Sequence, residues 1–400
     1  MIGTRDSRLS FLYSTEFALL IAIIVVVACT TVFDADGSYL QAPGTSARDI
    51  IRNLSLLGIF SLGAAVVIIS GGIDLSAGSV IAFSGTVCAG ILYCTKTATG
   101  PAPAWGVVLA IAGAIGAGFA VGTLHTWLIT AIRLPPFVAT LATLVGLRSL
   151  ARALCEFITT PEGGGTGAAQ IYVNHPALKY LRQNVWIWVV VFAGLALLTW
   201  IILRWTVLGR HIYAVGGNEQ AARLSGIQTD NVKWVAYTFS ALTSSIAAIF
   251  YISNELAATP FNQGLGHELN AIAAAVVGGC SLQGGVGTVQ GTILGVLFLR
   301  VVIDSASKLI DTGADVFEGL IVGCVVLLAV TLTQARQLIS SGRQMFSGVR
   351  GLFVIPVLAV AVGVTSTVTS KSAATGATLG IVTFVILLAM KVVEVVRRRG

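Results

Sequence analysis

The sequence predicts an all-α protein that crosses a membrane many times, and three observations support this fold class. Of the 400 residues, 56% are hydrophobic and only 10% are charged, against roughly a quarter charged in an ordinary soluble domain. Apolar runs long enough to cross about 30 Å of hydrocarbon recur along the whole chain. The formal charge of +7 is scattered between these runs and forms no patch with interleaved aromatic residues, which argues against nucleic acid as a partner.

Twelve apolar runs follow one another, and each is predicted to be one helical span. In chain order they cover residues 17–33, 50–70, 76–94, 105–130, 136–155, 185–203, 234–252, 269–280, 286–303, 316–333, 352–366 and 377–393. Ten spans are expected to form a core over residues 17–335, after an amino-terminal segment 1–16. The last two form an additional C-terminal hydrophobic hairpin with a basic tail, residues 336–400. The first run lacks a small-residue cleavage site after it, so we expect a retained helix rather than a secretory signal.

The basic residues between the spans predict the orientation of the chain. With a cytoplasmic amino terminus, the inside segments hold 14 of the 24 Lys and Arg residues and the outside segments hold nine, as the positive-inside rule requires. The loop 204–233 is then cytoplasmic and the loop 156–184 lies outside. Within the inner loop, "NEQAARLSG" predicts a short helix that Asn218 caps and Gly226 ends. This helix is either a docking element or part of an ordinary solvated connection.

Two glycine-broken segments in the two halves of the chain resemble each other. They are "ISGGIDLSAGSVIAFSGT" (69–86) and "VVGGCSLQGGVGTVQGT" (276–292). The alignment pairs Gly71 with Gly278, Gly72 with Gly279, Leu75 with Leu282 and Gly78 with Gly285. Short, glycine-interrupted apolar segments at matching places in two halves indicate a transport site near the membrane midplane. The alignment leaves the relative orientation of the two segments open.

Asp74 lies in the first of these breaks, within "GGIDLS". A carboxylate at membrane depth costs at least ~2.5–3.5 kcal/mol, so it needs a compensating partner. Either Asp74 or Ser76 caps the following helix by accepting hydrogen bonds from free N–H groups, or Asp74 contacts the solute. The second break carries Ser281 and Gln283 but no charge. The absence of a symmetric pair of carboxylates argues against proton-driven transport.

Other polar residues near the spans complete a set of candidates for a solute pathway. Glu268 and Asn270 precede the short eighth span, where they either cap it or bind hydroxyl groups. Arg300 is expected to pair with Asp304 one turn on or to extend outward. A route for an uncharged hydrophilic solute needs only neutral hydrogen-bonding groups and a few acceptors. The candidates are Asn53, Ser55, Ser70, Asp74, Ser76, Glu268, Asn270, Ser281 and Gln283.

The sequence carries no motif for catalysis. It lacks G-x-x-x-x-G-K-[ST], so the chain has no phosphate-binding loop for ATP, and its six cysteines form no C-x-x-C pair. We therefore predict no enzymatic activity, no cofactor and no metal site. The energy for transport must come from an ion gradient or from another polypeptide.

Three stretches of the chain together resemble a known family. They are "GGIDLSAGS" (71–79), "LGRHIYAVGGNEQAARLSGI" (208–227) and "GHELNAIAAAVVGGCSLQGGVGTVQGTILG" (266–295). In this order they resemble the membrane permease subunit of bacterial ATP-binding-cassette importers for monosaccharides, of the ribose, xylose and galactose type. The resemblance covers about residues 15–335.

This resemblance implies a multi-pass protein of the bacterial cytoplasmic membrane that works with partners. They are a second permease in a homodimer or heterodimer, a cytoplasmic dimer of ATPase subunits and an extracytoplasmic sugar-binding protein. It also implies that the inner loop supplies a coupling helix to the ATPase. The residues expected at this contact are Gly209, Arg210, Ala214, Gly216, Gly217, Asn218, Glu219, Ala221, Ala222, Arg223, Ser225, Gly226 and Ile227.

The chain departs from the family pattern in three places. Asn270 stands where the family commonly has Asp, Arg300 stands where it has an apolar or small residue, and residues 340–400 add the hydrophobic hairpin. The first two departures leave the solute open: a nucleoside, an amino acid or a small signalling molecule are alternatives within the same importer type. An ion-coupled secondary transporter is the alternative of a different class.

Overall fold

A computed structural model describes residues 15–34, 37–97, 100–160, 167–309, 318–325, 327, 348–370 and 372–399. Its helices are α1 (Thr15–Phe33), α2 (Ser38–Gln41), α3 (Pro43–Ile69), α4 (Ala77–Cys94), α5 (Ala104–Thr130), α6 (Pro136–Thr159), α7 (Pro176–Gln183), α8 (Val185–Trp205), α9 (Val207–Gly217), α10 (Glu219–Leu224), α11 (Thr229–Glu255), α12 (His267–Val277), α13 (Val289–Leu309), α14 (Gly348–Ser370) and α15 (Ala373–Arg399). Two short strands, β1 (Ile171–Tyr172) and β2 (Ala257–Ala258), pair antiparallel.

The all-α, polytopic fold is confirmed. Among the described residues, nine helices are long and apolar enough to cross a membrane, and α12 and residues 353–367 are shorter apolar helices. Residues 318–325 are helical within the predicted tenth span. Outside the described residues lie the predicted boundary at 335–336, the amino-terminal residues 1–14 and, in the tenth span, residues 316–317, 326 and 328–333.

The spanning helices differ in how deeply they are buried. The apolar stretches of α3, α4 and α11 are each 72% buried, whereas those of α5, α6 and α8 are 22–28% buried. The exposed side chains of the second group are large and apolar, as expected of helices that face lipid: Trp105, Phe119, Phe157, Trp186 and Val190 are examples. The helices α3, α4 and α11 therefore form the centre of the protein.

Small residues set the distance between the central helices. A Cβ on Gly122 of α5 would lie 2.5 Å from the Thr238 Cα of α11, and one on Gly63 of α3 would lie 2.7 Å from the Ser240 Cα. Close backbone approach of this kind drives helix association where lipid supplies no hydrophobic force. The hydroxyl groups of Ser84 on α4 and Ser245 on α11 hydrogen-bond at 2.8 Å across the interface between α4 and α11.

Helix α12 lies beside the second half of α3 and runs in the same direction. At its start, the His267 and Phe60 rings are 6.1 Å apart, and just beyond its end the Gly285 N–H donates to the Ile69 carbonyl at 2.9 Å. An 11-residue helix is about 16 Å long, so α12 covers only half of a bilayer. Its amino terminus lies beside Phe60 of α3.

Arg148 lies within α6, inside the predicted span 136–155. Its Nη1 donates to the carbonyl groups of Pro260, Phe261 and Gln263 at 3.1–3.3 Å. These residues belong to the segment 259–266 that leads from β2 back into the protein. A half-buried guanidinium is tolerated here because several carbonyl oxygens accept from it.

The C-terminal hairpin packs tightly on itself. A Cβ on Gly380 of α15 would lie 3.1 Å from the Ala359 carbonyl oxygen of α14, and one on Gly363 would lie 3.1 Å from the Gly376 oxygen. The outer faces of both helices carry exposed apolar side chains such as Val357 and Ile381. The hairpin therefore has the composition of a lipid-embedded pair of helices.

Candidate functional site: two helix breaks and the inner loop

The first helix break spans residues 70–76, between α3 and α4, and Asp74 organises it. The Oδ1 atom of Asp74 accepts from the Ser76 N–H at 2.9 Å and from the Ser76 hydroxyl at 2.6 Å. The Oδ2 atom accepts from the Ser240 hydroxyl of α11 at 2.8 Å. Asp74 is 2% exposed. Both of its oxygen atoms are therefore used within the protein. Ser76 precedes α4 and makes no side-chain cap, and Asp74 accepts from Ser76 itself and from α11 rather than from the first turn of α4, so neither residue caps the helix in the expected way.

The second helix break spans residues 278–288, between α12 and α13, and it begins with the same backbone geometry as the first. Gly71 has a φ of 85° and Gly279 a φ of 97°. Each is the left-handed residue that follows a helix, and the next N–H reaches back to a helix carbonyl: Gly72 to Val67, and Cys280 to Ala275. The structural partner of Gly71 is thus Gly279. The sequence alignment, which paired Gly71 with Gly278, is one residue out of register at this point.

The two breaks and the inner loop meet at a junction made of glycine backbone. A Cβ on Gly284 would lie 2.7 Å from the Gly71 Cα and 2.5 Å from the Gly216 oxygen. A Cβ on Gly285 would lie 2.8 Å from the Gly217 Cα. No larger residue fits at Gly284 or Gly285 at such distances, so these two glycines allow the second break to touch the first break and the inner loop. We call Gly71, Gly216, Gly217, Gly284 and Gly285 the glycine junction.

Tyr213 adds a side-chain link between the inner loop and the second break. Its hydroxyl on α9 donates to the Gly287 carbonyl at 2.7 Å. Burial raises the pKa of Tyr213 above its ordinary value, so the phenol stays protonated and keeps its donor. Tyr213 and Gly284 were both missing from the residues expected from sequence, because contacts between segments so far apart in the chain leave no local pattern.

The first turn of α12 lies against the start of α4. A Cβ on Gly78 would overlap the Oε2 atom of Glu268 and the Gly264 carbonyl oxygen. Glu268 is 8% exposed, so its carboxylate lies at depth near the amino terminus of α4. Asn270, one turn along α12, donates from Nδ2 to the Oε1 atom of Glu318 at 2.9 Å.

The expected pairing of Arg300 with Asp304 is wrong. Arg300 lies 3.7 Å from the Glu318 carboxylate instead. Asp304 accepts from Lys308 at 2.5 Å and from the Tyr39 hydroxyl at 2.7 Å, and burial raises the pKa of Tyr39 to about 12. The i,i+4 spacing of Arg300 and Asp304 allowed the pair, but Glu318 and Lys308 supply partners that only the fold brings near.

The remaining pathway candidates are spread along the chain. Asn53 is exposed on α3, while the Ser55 and Ser70 hydroxyls donate to the carbonyls of Ile51 and Val67 in the same helix. Ser281 accepts from the Gln283 N–H at 3.2 Å within the second break. The structure therefore groups Asp74 with Ser76, and Ser281 with Gln283, and leaves Asn53 apart from both groups.

The short helix expected in the inner loop is present as α10. The Asn218 Oδ1 atom accepts from the Ala221 N–H at 2.9 Å, and Gly226 follows the helix with a φ of 84°. Glu219 accepts from Lys233 at 2.6 Å and pairs with Arg223 at 3.4 Å. These contacts fasten α10 to the start of α11.

The residues expected at the ATPase contact divide into two groups. The exposed ones are Arg210, Ala214, Gly217, Asn218, Ala221, Arg223, Ser225 and Gly226, and Glu219 and Ile227 are partly exposed. Gly209, Gly216 and Ala222 are buried, so they pack the loop against the spans rather than face outward. Leu224, which sequence reasoning left out, is 90% exposed at the end of α10. Among the described residues, no group of three metal-binding side chains comes together.

Comparison with known proteins identifies the family to which the chain belongs. A family described as the permease component of the branched-chain amino acid transport system matches residues 46–331. The ribose import permease protein RbsC of Escherichia coli K12 is 32% identical over 322 residues, which cover 80% of this chain and 93% of the relative.

Two further relatives are import permeases for other sugars. The L-arabinose permease protein AraH of Azospirillum brasilense is 32% identical over 72% of this chain and 80% of its own length. The fructose import permease protein FruG of Bifidobacterium longum is 30% identical over 80% of this chain and 90% of its own length. No solved structure matches. The resemblance found in the sequence is confirmed, and the chain belongs to this family of membrane transport permeases, as a multi-pass protein of the inner membrane.

Proposed function

We propose that this chain forms the translocation pathway of an ATP-binding-cassette importer for a monosaccharide such as ribose, xylose or galactose. A separate cytoplasmic ATPase supplies the energy. Relatives named for ribose, arabinose and fructose import, each at least 30% identical over most of the chain, support a sugar as the solute. At this identity the particular sugar is left to experiment.

The glycine junction is the observation that carries this proposal. It joins the end of α9, in the inner loop, to both helix breaks through backbone contacts. Because these contacts contain no flexible side chain, a displacement of the loop is passed directly to Gly71 and Gly284. Rigid-body movement of this kind is a common way to convert a local push into a change of a distant site. Broken helices at matching places in two halves are where transporters hold their solute.

The partners follow from the same proposal. A second permease, identical or different, completes the membrane unit, a dimer of ATPase subunits contacts the inner loop, and an extracytoplasmic binding protein delivers the sugar. Leu224 is the side chain we assign to the centre of the ATPase contact, with the exposed members of the expected set around it. An apolar side chain that is 90% exposed beside a network of ion pairs suits an interface with an apolar centre and a polar rim.

Replacing Leu224 tests the ATPase contact. Leu224→Ser is expected to weaken co-purification of the ATPase with the permease at least tenfold while the permease still inserts and folds, because the side chain has almost no contacts within the chain. Leu40→Ser is the matched control, since Leu40 is 72% exposed on α2, away from the inner loop. Equal ATPase binding by Leu224→Ser and Leu40→Ser would contradict the assignment.

Two observations support alternatives that the test must include: an amino acid as the solute, and an ion gradient as the energy source. The family description names branched-chain amino acids, which makes an amino acid the second candidate solute. Glu268 is a buried carboxylate in addition to Asp74, and ion coupling relies on such groups.

The test is reconstitution of the full chain with the ATPase encoded beside it, in liposomes that contain the binding protein. We expect uptake of D-ribose, D-xylose or D-galactose that requires ATP on the side of the membrane where the ATPase subunits lie. L-leucine uptake with ATP would favour the second candidate. Sugar uptake driven by a proton or sodium gradient without ATP would refute the proposal.

A further inference from the structure

A cluster of buried polar atoms without hydrogen bonds surrounds the first turn of α12. Of the ten such side-chain atoms in the described part of the chain, five belong to four residues here: Gln263, His267, Glu268 and Arg300. Gln263 contributes both its Oε1 and its Nε2 atom and is 1% exposed. Buried polar side chains almost always have partners, and each unpaired group costs about 1–3 kcal/mol. Such a concentration calls for a functional reason.

The unpaired atoms of Gln263 and Glu268 face a glycine surface of α4. A Cβ on Gly85 would lie 3.2 Å from the Gln263 Oε1 atom, and one on Gly78 would overlap the Glu268 Oε2 atom. Seven residues make about two helical turns, so Gly78 and Gly85 lie on the same face, about 10 Å apart along the axis. Glycine has no side chain that could donate to these oxygens. The unpaired atoms of Gln263 and Glu268 therefore find no hydrogen-bond partner among the side chains of this face of α4.

The backbone that presents Gln263 and Glu268 is held in place. Arg148 donates to the Gln263 carbonyl at 3.1 Å and to two preceding carbonyls. Gly264 and Gly266 adopt φ values of 68° and 77°, which allow the tight turn into α12. The backbone that carries the unpaired amide is thus held by the fold, in contrast to that of a surface loop.

Aromatic rings lie next to these polar atoms. The His267 ring is 5.3 Å from the Tyr251 ring and 6.1 Å from the Phe60 ring. Solute sites in proteins combine apolar walls with a few fixed polar groups. Gln263 offers one acceptor and a donor group on a single amide, and Glu268 offers a further acceptor. Neighbouring hydroxyl groups on one molecule can donate to both oxygens and accept from the amide.

We propose that Gln263 and Glu268 form a hydrogen-bonding site for an uncharged polyhydroxyl solute between α4 and the first turn of α12. This inference rests on the proposed function and adds to it Gln263, which sequence reasoning did not include. The site is closed in this structure, because Gln263 is buried. A solute reaches it when the segment 259–266 and α4 separate.

Gln263→Leu tests the site, because leucine removes both unpaired atoms at similar volume. We expect ATP-driven uptake of D-ribose, or of whichever probe sugar the wild-type complex carries best, to fall at least about tenfold, as the loss of one or two hydrogen bonds predicts. The denaturation midpoint of the purified chain is expected to stay equal or to rise, because a buried amide without a partner is destabilising. Gln263→Met serves as a second variant in case the branched leucine does not fit.

A structural role for Gln263 would give the opposite pair of results. Gln183→Leu, at the exposed end of α7, is the matched control for the substitution itself. If both Gln263 variants lower the midpoint, the amide has partners within the protein and the inference is overturned. If the wild-type complex imports the sugar and the variants import it equally well, the amide holds a buried water at most, and the inference fails while the proposed function stands. If the wild-type complex imports none of the sugars with ATP, both fail.

Discussion

Replacing Gly216 by alanine is the sharpest test of the glycine junction. A Cβ on Gly216 would lie 2.6 Å from the Gly285 nitrogen and 2.9 Å from the Ile69 carbonyl carbon, and closer still to the Ile69 oxygen. Ordinary contacts begin at 3.4 Å, so the backbone at Gly285 would have to move by about 0.8 Å. The neighbour Gly217 has nothing within 4 Å of a Cβ. The two adjacent positions therefore form a matched pair.

The expected loss of stability in Gly216→Ala follows from the backbone that the new Cβ would displace. Overpacking costs about 1–3 kcal/mol, and the obstacle here is backbone, which cannot change rotamer. The shift also strains the hydrogen bond from the Gly285 N–H to the Ile69 carbonyl, worth about 1 kcal/mol. We expect Gly216→Ala to lower the free energy of unfolding by about 2–4 kcal/mol. Gly217→Ala is expected to leave it within about 0.5 kcal/mol of wild type.

The assay is thermal denaturation of the purified full chain in detergent, with the fraction of monodisperse protein as a second readout. Gly216→Ala should denature at a lower temperature than Gly217→Ala. A complex reconstituted with folded Gly216→Ala permease should still hydrolyse ATP through its ATPase subunits but take up little sugar. The reason is that the inner loop and the two helix breaks no longer pack against one another. Equal midpoints for the two variants would refute the reasoning from close backbone contact.

Two further predictions concern charged residues. Asp74→Asn keeps an acceptor for the Ser76 N–H and should fold and retain most uptake, whereas Asp74→Ala loses three hydrogen bonds and should be destabilised by about 3 kcal/mol or more. Wild-type stability of Asp74→Ala in the same denaturation assay would contradict the inference that these hydrogen bonds hold the first break together. Glu219→Gln breaks ion pairs with Lys233 and Arg223 that are partly exposed, so stability should fall by less than about 1 kcal/mol. A larger loss, or failure to insert into the membrane, would mean that the ion pairs hold the loop together.

Much of the fold could be predicted because hydrophobic length is a local property. In the described residues each predicted apolar run contains a helix, although the ends of the runs 269–280 and 286–303 belong to the second break. The cap at Asn218 and the stop at Gly226 appear as the pattern indicates. Capping needs only residues within three or four positions, so "NEQAARLSG" contained all the information required. The family resemblance likewise rested on contiguous motifs.

Contacts between distant segments could not be predicted in the same way. Arg300 has a suitable neighbour at i+4, yet it pairs with Glu318. Gln263 looks like an ordinary loop residue in "PFNQGLG". In the fold, Arg148 donates to its carbonyl and Gly85 lies against its side chain, and its amide is buried without a partner. Burial and partner choice depend on which helices become neighbours, and no local spacing records that.

The sequence by itself determined that this protein is a polytopic transport permease with two glycine-broken segments and a helical inner loop, because span length, capping and family motifs are all written in contiguous residues. Only the tertiary structure decided that the two breaks and the loop touch one another at Gly71, Gly216 and Gly284. A glycine in the sequence indicates only that another backbone segment can approach closely at that position. The packing of α3, α9 and α12 decides which backbone makes it.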